Sequence, residues 1–114
     1  VKPTPPTLRE RNRYIAFELI SEKKLARDAV VKSLWNVVLR FLGEWDAGDT
    51  GFTVIEWDAE KDRGIARTAH KSLPKVKAAL ALTTKVGDEK VRPRILGISG
   101  TLKKIRENWL KKTK

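Results

Sequence analysis

The chain has 114 residues, of which 25 are Lys or Arg and 14 are Asp or Glu, giving a net charge of +11. A single domain of this length buries a real core without disulfides or metal; with no cysteine and His70 as the sole histidine, thiolate and histidine-rich metal sites are excluded. The charge favours a polyanionic partner, nucleic acid ahead of an anionic membrane.

Three segments carry almost all of that charge. Residues 1–13 are net +3, residues 85–94 net +2 and residues 101–114 net +5, leaving only +1 for the rest. Such clustering points to a binding role rather than to solubility alone. No apolar run approaches the ~18 residues of a membrane span, and VKPTPPTLRER has no apolar signal region. The expectation is a cytoplasmic protein. The lack of Gln and Met beside abundant Lys, Arg and Glu fits a hyperthermophile composition.

In chain order, residues 1–8 hold three prolines and form an extended segment ahead of a single domain over residues 9–114. Arg9, Arg11 and Arg13 make a basic patch leading into strand one, Arg13–Ile20. There Ile15, Phe17 and Leu19 alternate with Tyr14, Ala16 and Glu18, and the first set is the expected core face. A long helix follows over Lys24–Leu42, with Ala26, Val30, Leu34, Val37 and Phe41 on the face toward the sheet. Val31, Trp35, Leu39 and Leu42 belong to a second apolar set, which also includes Val38 and exceeds what a two-layer domain covers. These four are candidates for a protein-partner surface, the alternative being cover from a loop or the C-terminal helix.

Gly43–Gly51 reads as a loop, Phe52–Asp58 as strand two, Ala59–Arg63 as a polar turn and Gly64–Ala69 as strand three, the short turn implying an antiparallel hairpin. Ser72 and Pro74 predict the start of a second helix running to about Thr84, with Leu73, Val76 and Leu80 on one face. Lys85–Pro93 reads as a charged loop, Arg94–Ser99 as strand four, and Thr101 to about Lys111 as a third helix. The order β-α-β-β-α-β predicts an α+β, ferredoxin-like antiparallel sheet packed on two helices, plus a C-terminal helix.

Little in this chain suits catalysis. His70 has no partner for nucleophilic chemistry. Glu56, Asp58, Glu60 and Asp62 resemble a metal cluster, but they are interleaved with Lys61 and Arg63 and read instead as a solvated charged turn. There is no phosphate loop. Strand one offers Tyr14 for base stacking and strand three offers no aromatic, so sheet-face stacking has weak support. Electrostatic contacts to phosphate remain. The strand ending at Ser99 passes through Gly100 into a helix start, with Lys103, Lys104 and Arg106 beside it, and this is read as an anion-binding wall. Arg67 is a secondary candidate, with pairing to Glu18 as the alternative. The C-terminal segment has an apolar side of Leu102, Ile105 and Trp109; packing on the domain is favoured over membrane binding.

Three stretches, LRERNRYIAFELIS (8–21), KVKAALALTTKVG (75–87) and VRPRILGISGTLKKIR (91–106), together resemble the ribonuclease P protein component 2 family. The resemblance implies a ferredoxin-like domain that joins a catalytic RNA. In that family the RNA, with bound Mg²⁺, removes the 5′ leader from precursor tRNA, and the protein works with ribonuclease P protein component 3. It implies no cofactor in the protein itself and no catalytic residue of its own. Taken with the charge pattern, it makes Arg9, Arg11, Arg13, Arg92, Arg94, Lys103, Lys104 and Arg106 the candidate RNA-binding residues. Self-association stays open. The rival readings are a ribosomal-type RNA-binding protein and an acylphosphatase-like enzyme. The enzyme would need a glycine-bearing phosphate loop after strand one, where this chain has Ser21-Glu22-Lys23-Lys24.

Overall fold

A computed structural model describes residues 12–110, apart from the side chains of residues 44–49 and 109–110. The proline-rich segment, Arg9, Arg11, Lys111 and Lys112 therefore lie outside the described residues. Four strands form one antiparallel sheet: β1 (Asn12–Ile20), β2 (Thr53–Asp58), β3 (Arg63–Ala69) and β6 (Arg92–Ser99), in the order β2-β3-β1-β6. Two helices, α1 (Arg27–Asp49) and α2 (Leu73–Ala81), cover one face. This is the expected α+β architecture. A third helix, α3 (Leu102–Ile105), continues as a wider π turn over Arg106–Leu110.

Alternation along β1 divides the core between the two faces. Ile15, Phe17 and Leu19 are buried toward α1 and α2, against Val30, Leu34, Val38, Val76 and Leu80. Ala16 points the other way and packs with Ile65 of β3 and Ile105 of α3. The packing of the C-terminal segment onto the domain through Ile105 is thus observed; the Trp109 side chain lies outside the described residues.

Several boundaries differ from the sequence reading. Helix α1 starts at Arg27, not Lys24; Leu25 is buried ahead of it, and its carbonyl accepts from Trp57 Nε1 at 2.8 Å. The buried stripe is Val30, Leu34 and Val38, a strict four-residue spacing. Ala26 and Phe41, placed on that stripe from the sequence, are exposed, and Val37 is half-buried. The segment read as a loop from Gly43 is helical to Asp49 after a break at Gly43, whose φ of +83° lies in the left-handed region that glycine tolerates. Its Gly and Asp content lowers helix propensity, which hid it.

Ser72 precedes α2, as expected, but its hydroxyl makes no capping bond, and the helix stops at Ala81, short of Thr84. The charged loop from Lys85 is a small hairpin, β4 (Lys85–Val86) with β5 (Glu89–Lys90), turning at Gly87. Val86 and Val91 anchor it in the main core. Thr50 secures the α1–β2 connection beneath the sheet: its carbonyl accepts from Ala69 N at 2.7 Å and from Thr68 Oγ1 at 2.8 Å.

Gly64 lies between Phe17 and Trp57 in the pairing register, and the two rings stack above it with centroids 6.0 Å apart. A Cβ there would sit 2.7 Å from the Glu56 carbonyl, 2.8 Å from Phe17 and 2.9 Å from Trp57. Backbone and two packed rings cannot yield cheaply. Gly64→Ala should therefore lower stability by about 1–3 kcal/mol, the usual cost of overpacking, read from the midpoint of urea denaturation.

Candidate nucleic-acid interface

The sheet face turned away from α1 and α2 carries three cross-strand rows. The middle row is Glu56-Ile65-Ala16-Gly97, from β2 through β3 and β1 to β6. Helix α3 lies on it. Ile105 is fully buried against Ala16 and Ile65, and Leu96 and Leu102 pack at the edge of the same cluster. Arg106 reaches the far strand, where Nε and Nη2 both meet the Glu56 carboxylate.

The second row is Asp58-Arg63-Glu18-Arg94. Its charges meet one another: Arg63 Nε lies 3.5 Å and Arg94 Nη1 3.7 Å from Glu18 carboxylate oxygens. The sequence alternative that paired Arg67 with Glu18 is corrected here, since the register puts Arg63 and Arg94 beside that residue. Glu60 in the adjoining turn bonds Lys24 at 2.8 Å, which holds the Lys24 amine above its usual value. Of the carboxylates first considered as a metal cluster, Glu56 meets Arg106, Glu60 meets Lys24, and Asp58 accepts from Glu60 N, and among the described residues no three metal-ligating side chains come together.

The third row is Thr53-Arg67-Tyr14-Ser99. It contains no carboxylate. Arg67 makes no ion pair among the described residues, and Tyr14 is half-buried at the edge of the Ile105 cluster. The chain leaves β6 at the end of this row. Ser99 Oγ accepts from Thr101 N at 3.2 Å, and Thr101 Oγ1 caps α3 by accepting from Lys104 N at 3.3 Å. A Cβ on Gly100 would lie 3.6 Å from Arg13 Nη1, so Arg13 adjoins this turn.

The candidate cations therefore divide. Arg13, Lys103 and Lys104 gather at the Gly100 end, because β1 and β6 are neighbours and antiparallel. Arg92 and Arg94 sit toward the opposite end, beside Ile20 and Glu18. Ile20 lies six positions along β1 from Tyr14, roughly 20 Å at the rise of a strand. Arg94 and Arg106 are held by carboxylates; Arg13, Arg92, Lys103 and Lys104 form no ion pair among the described residues. Arg67 joins the Gly100 end. Alternation from Ile65 was the signal that placed it there.

On the helix side, Val31, Trp35, Leu39 and Leu42 are half-buried and packed against the core, and Trp35 stacks on Phe52 with centroids 6.4 Å apart. Among the described residues, Phe41 and Leu82 are exposed there, beside a groove of about 350 Å³ also lined by Arg40 and Lys85. A groove of about 840 Å³ between the end of β1 and the β4–β5 hairpin has Lys85, Lys90 and Arg92 balanced by Glu22, Asp88 and Glu89. That balance gives it no preference for anions.

A sequence model of the Rpp14/Pop5 family matches residues 13–110. The chain belongs to this family. Among curated proteins it is 41% identical over 110 residues to ribonuclease P protein component 2 of Archaeoglobus fulgidus, covering 96% of this chain and 98% of that one. It is 38% identical over 106 residues to the protein of that name from Thermococcus gammatolerans, covering 93% and 88%. A chain in a cryo-EM structure of yeast ribonuclease MRP shares the fold, with a TM-score of 0.65 at 14% identity, over 89% of this chain and 79% of that chain. The resemblance drawn from RYIAFE and RILGISGTLKK is borne out, and so is the fold it implied.

Row two generates a pH prediction. Asp62 turns the β2–β3 hairpin at φ +57°. Burial and then the Glu18 carboxylate hold its carboxyl above the usual value. A carboxyl raised by folding costs stability when ionised, and the cost fades as pH falls through the folded value toward the unfolded one. Asparagine tolerates the same backbone. Asp62→Asn should therefore raise Tm at neutral pH, with the gain vanishing in acid; an equal gain at every pH would assign it to another cause.

Proposed function

We propose that this chain is a protein subunit of ribonuclease P that supplies no catalytic residue of its own and binds the catalytic RNA. The observation that carries the reading is the cation cluster at the Gly100 end, Arg13, Arg67, Lys103 and Lys104, which makes no ion pair among the described residues, in a member of the Rpp14/Pop5 family. Cations without carboxylate partners are free to meet phosphates, releasing counterions as they do. The protein's work is to stabilise the RNA's active fold. That RNA, with its Mg²⁺, removes the 5′ leader from precursor tRNA, and the protein holds no cofactor. Ribonuclease P protein component 3 is the protein partner, seated on the helix layer near Leu39 and Leu42, where Phe41 stands exposed.

Adding the protein to the catalytic RNA, with and without component 3, should stimulate precursor tRNA cleavage at limiting Mg²⁺. No stimulation in either case would overturn the reading. In a filter-binding titration, Lys103→Ala with Lys104→Ala should weaken binding to the RNA and lower the log–log salt slope by about 1.5, as expected for two lost phosphate contacts. Both side chains are exposed and pair with no carboxylate among the described residues, so folding should be unaffected.

A further inference from the structure

The three rows of the open face differ in what they leave available. The middle row is roofed by Ile105 and Arg106. The Glu18 row spends its charge internally. Only Thr53-Arg67-Tyr14-Ser99 combines a cation without a carboxylate partner among the described residues, an aromatic ring and hydroxyls in one line across the four strands. At about 4.8 Å between strands the line is roughly 14 Å long.

We infer that this row seats one unpaired nucleotide of single-stranded RNA, with Tyr14 as the stacking platform and Arg67 as the phosphate clamp. The inference rests on the RNA-binding reading and adds a residue-level site that lies outside the basic segments.

Each side chain fits its part. Tyr14 is half-buried against the Ala16, Ile65 and Ile105 cluster, so the ring is braced while part of it stays open. A braced aromatic loses little entropy on receiving a base, and base–aromatic stacking tolerates any sequence. Arg67, its direct partner on β3, offers a fork of N–H donors that matches two phosphate oxygens. Thr53, on the far side of Arg67, is exposed and presents a hydroxyl able to meet a ribose hydroxyl or a base edge. Ser99 Oγ already accepts from Thr101 N and keeps its own proton to donate.

Charge complementarity supports this occupant. The row has no acid, and Arg13 borders the turn that closes it. A strand of RNA continuing past Ser99 runs onto Lys103 and Lys104. An A-form duplex hides its bases in the stack and cannot offer one to Tyr14, so the row should distinguish single strands from duplexes.

The test is a fluorescence-anisotropy titration of labelled oligoadenylate, and of a blunt RNA duplex, against the full chain and three variants. Tyr14→Phe keeps the ring and should bind oligoadenylate like the wild type. Tyr14→Leu should weaken oligoadenylate binding about 5-fold to about 150-fold, the span of stacking one base on one ring. Its duplex binding should change little. Arg67→Gln should reduce the log–log salt slope by about 0.7, one phosphate on a single strand. Tyr14 touches the α3 cluster, so a thermal melt accompanies its variants; Arg67 lies outside that core and tests the site independently. Unchanged affinity and slope for both Tyr14→Leu and Arg67→Gln would overturn the inference while RNA binding stands. Wild-type protein that binds ribonuclease P RNA but not oligoadenylate would overturn it too. A wild type that binds neither would overturn the RNA-binding reading with it.

Discussion

Ile105 settles against Ala16 and Ile65, and much of the molecule's use of its surface follows from that contact. A four-stranded sheet with helices on one face leaves the other face to solvent. Here Ala16 and Ile65 make the centre of that face apolar, and Ile105 removes it from water completely. Burying such a side chain is worth about 1.5–3 kcal/mol. The Arg106–Glu56 pair fixes the direction of the short α3 segment across the strands. Half-exposed, such a pair adds little stability by itself, and its effect is orientation. The seated helix divides the open face into a neutral side and a cationic side.

The division also explains the charge. An excess of +11 would repel itself if it were spread evenly over so small a domain. Glu18 and Glu56 neutralise the cations lying over the sheet's middle and one end. Among the described residues, Arg67, Lys103 and Lys104 make no ion pair and collect where β1 begins and β6 ends, while Arg92 stays at the other end. Antiparallel pairing of these two neighbouring strands brings Arg13 to Gly100 although they are far apart in sequence. The bulge between Ala16 and Phe17 in the β1–β6 register adjoins the middle row, where Leu96 turns into the α3 cluster.

Much of this was legible from the residues. Period-two alternation in RYIAFELI located strand one and the core face, β-branched and aromatic content marked FTVIEWD as a strand, and the element order led to the ferredoxin-like plan. Elements with weak local signals were missed. Residues 44–49 hold too few residues for a helical stripe to show, and the β4–β5 hairpin has only two residues on each side. The error in the α1 stripe has another origin. Val37 and Val38 are chemically equivalent, and only the sheet decides which one faces it. Cation roles were the least legible. Nothing in KKIRENW tells Arg106, which meets Glu56, from Lys103 and Lys104, which meet solvent, because the partner lies fifty positions earlier in the chain.

The central claim is that the Gly100 end of the open face, beside α3, is where RNA lies. Backbone amide chemical shifts of the labelled protein, recorded as ribonuclease P RNA is added, test it most directly. The account predicts the largest changes at Tyr14, Arg67, Ser99 and Gly100 and through Lys104, with α1 and α2 little affected. Changes confined to α1, α2 and the β4–β5 hairpin, with a silent Gly100 end, would contradict it.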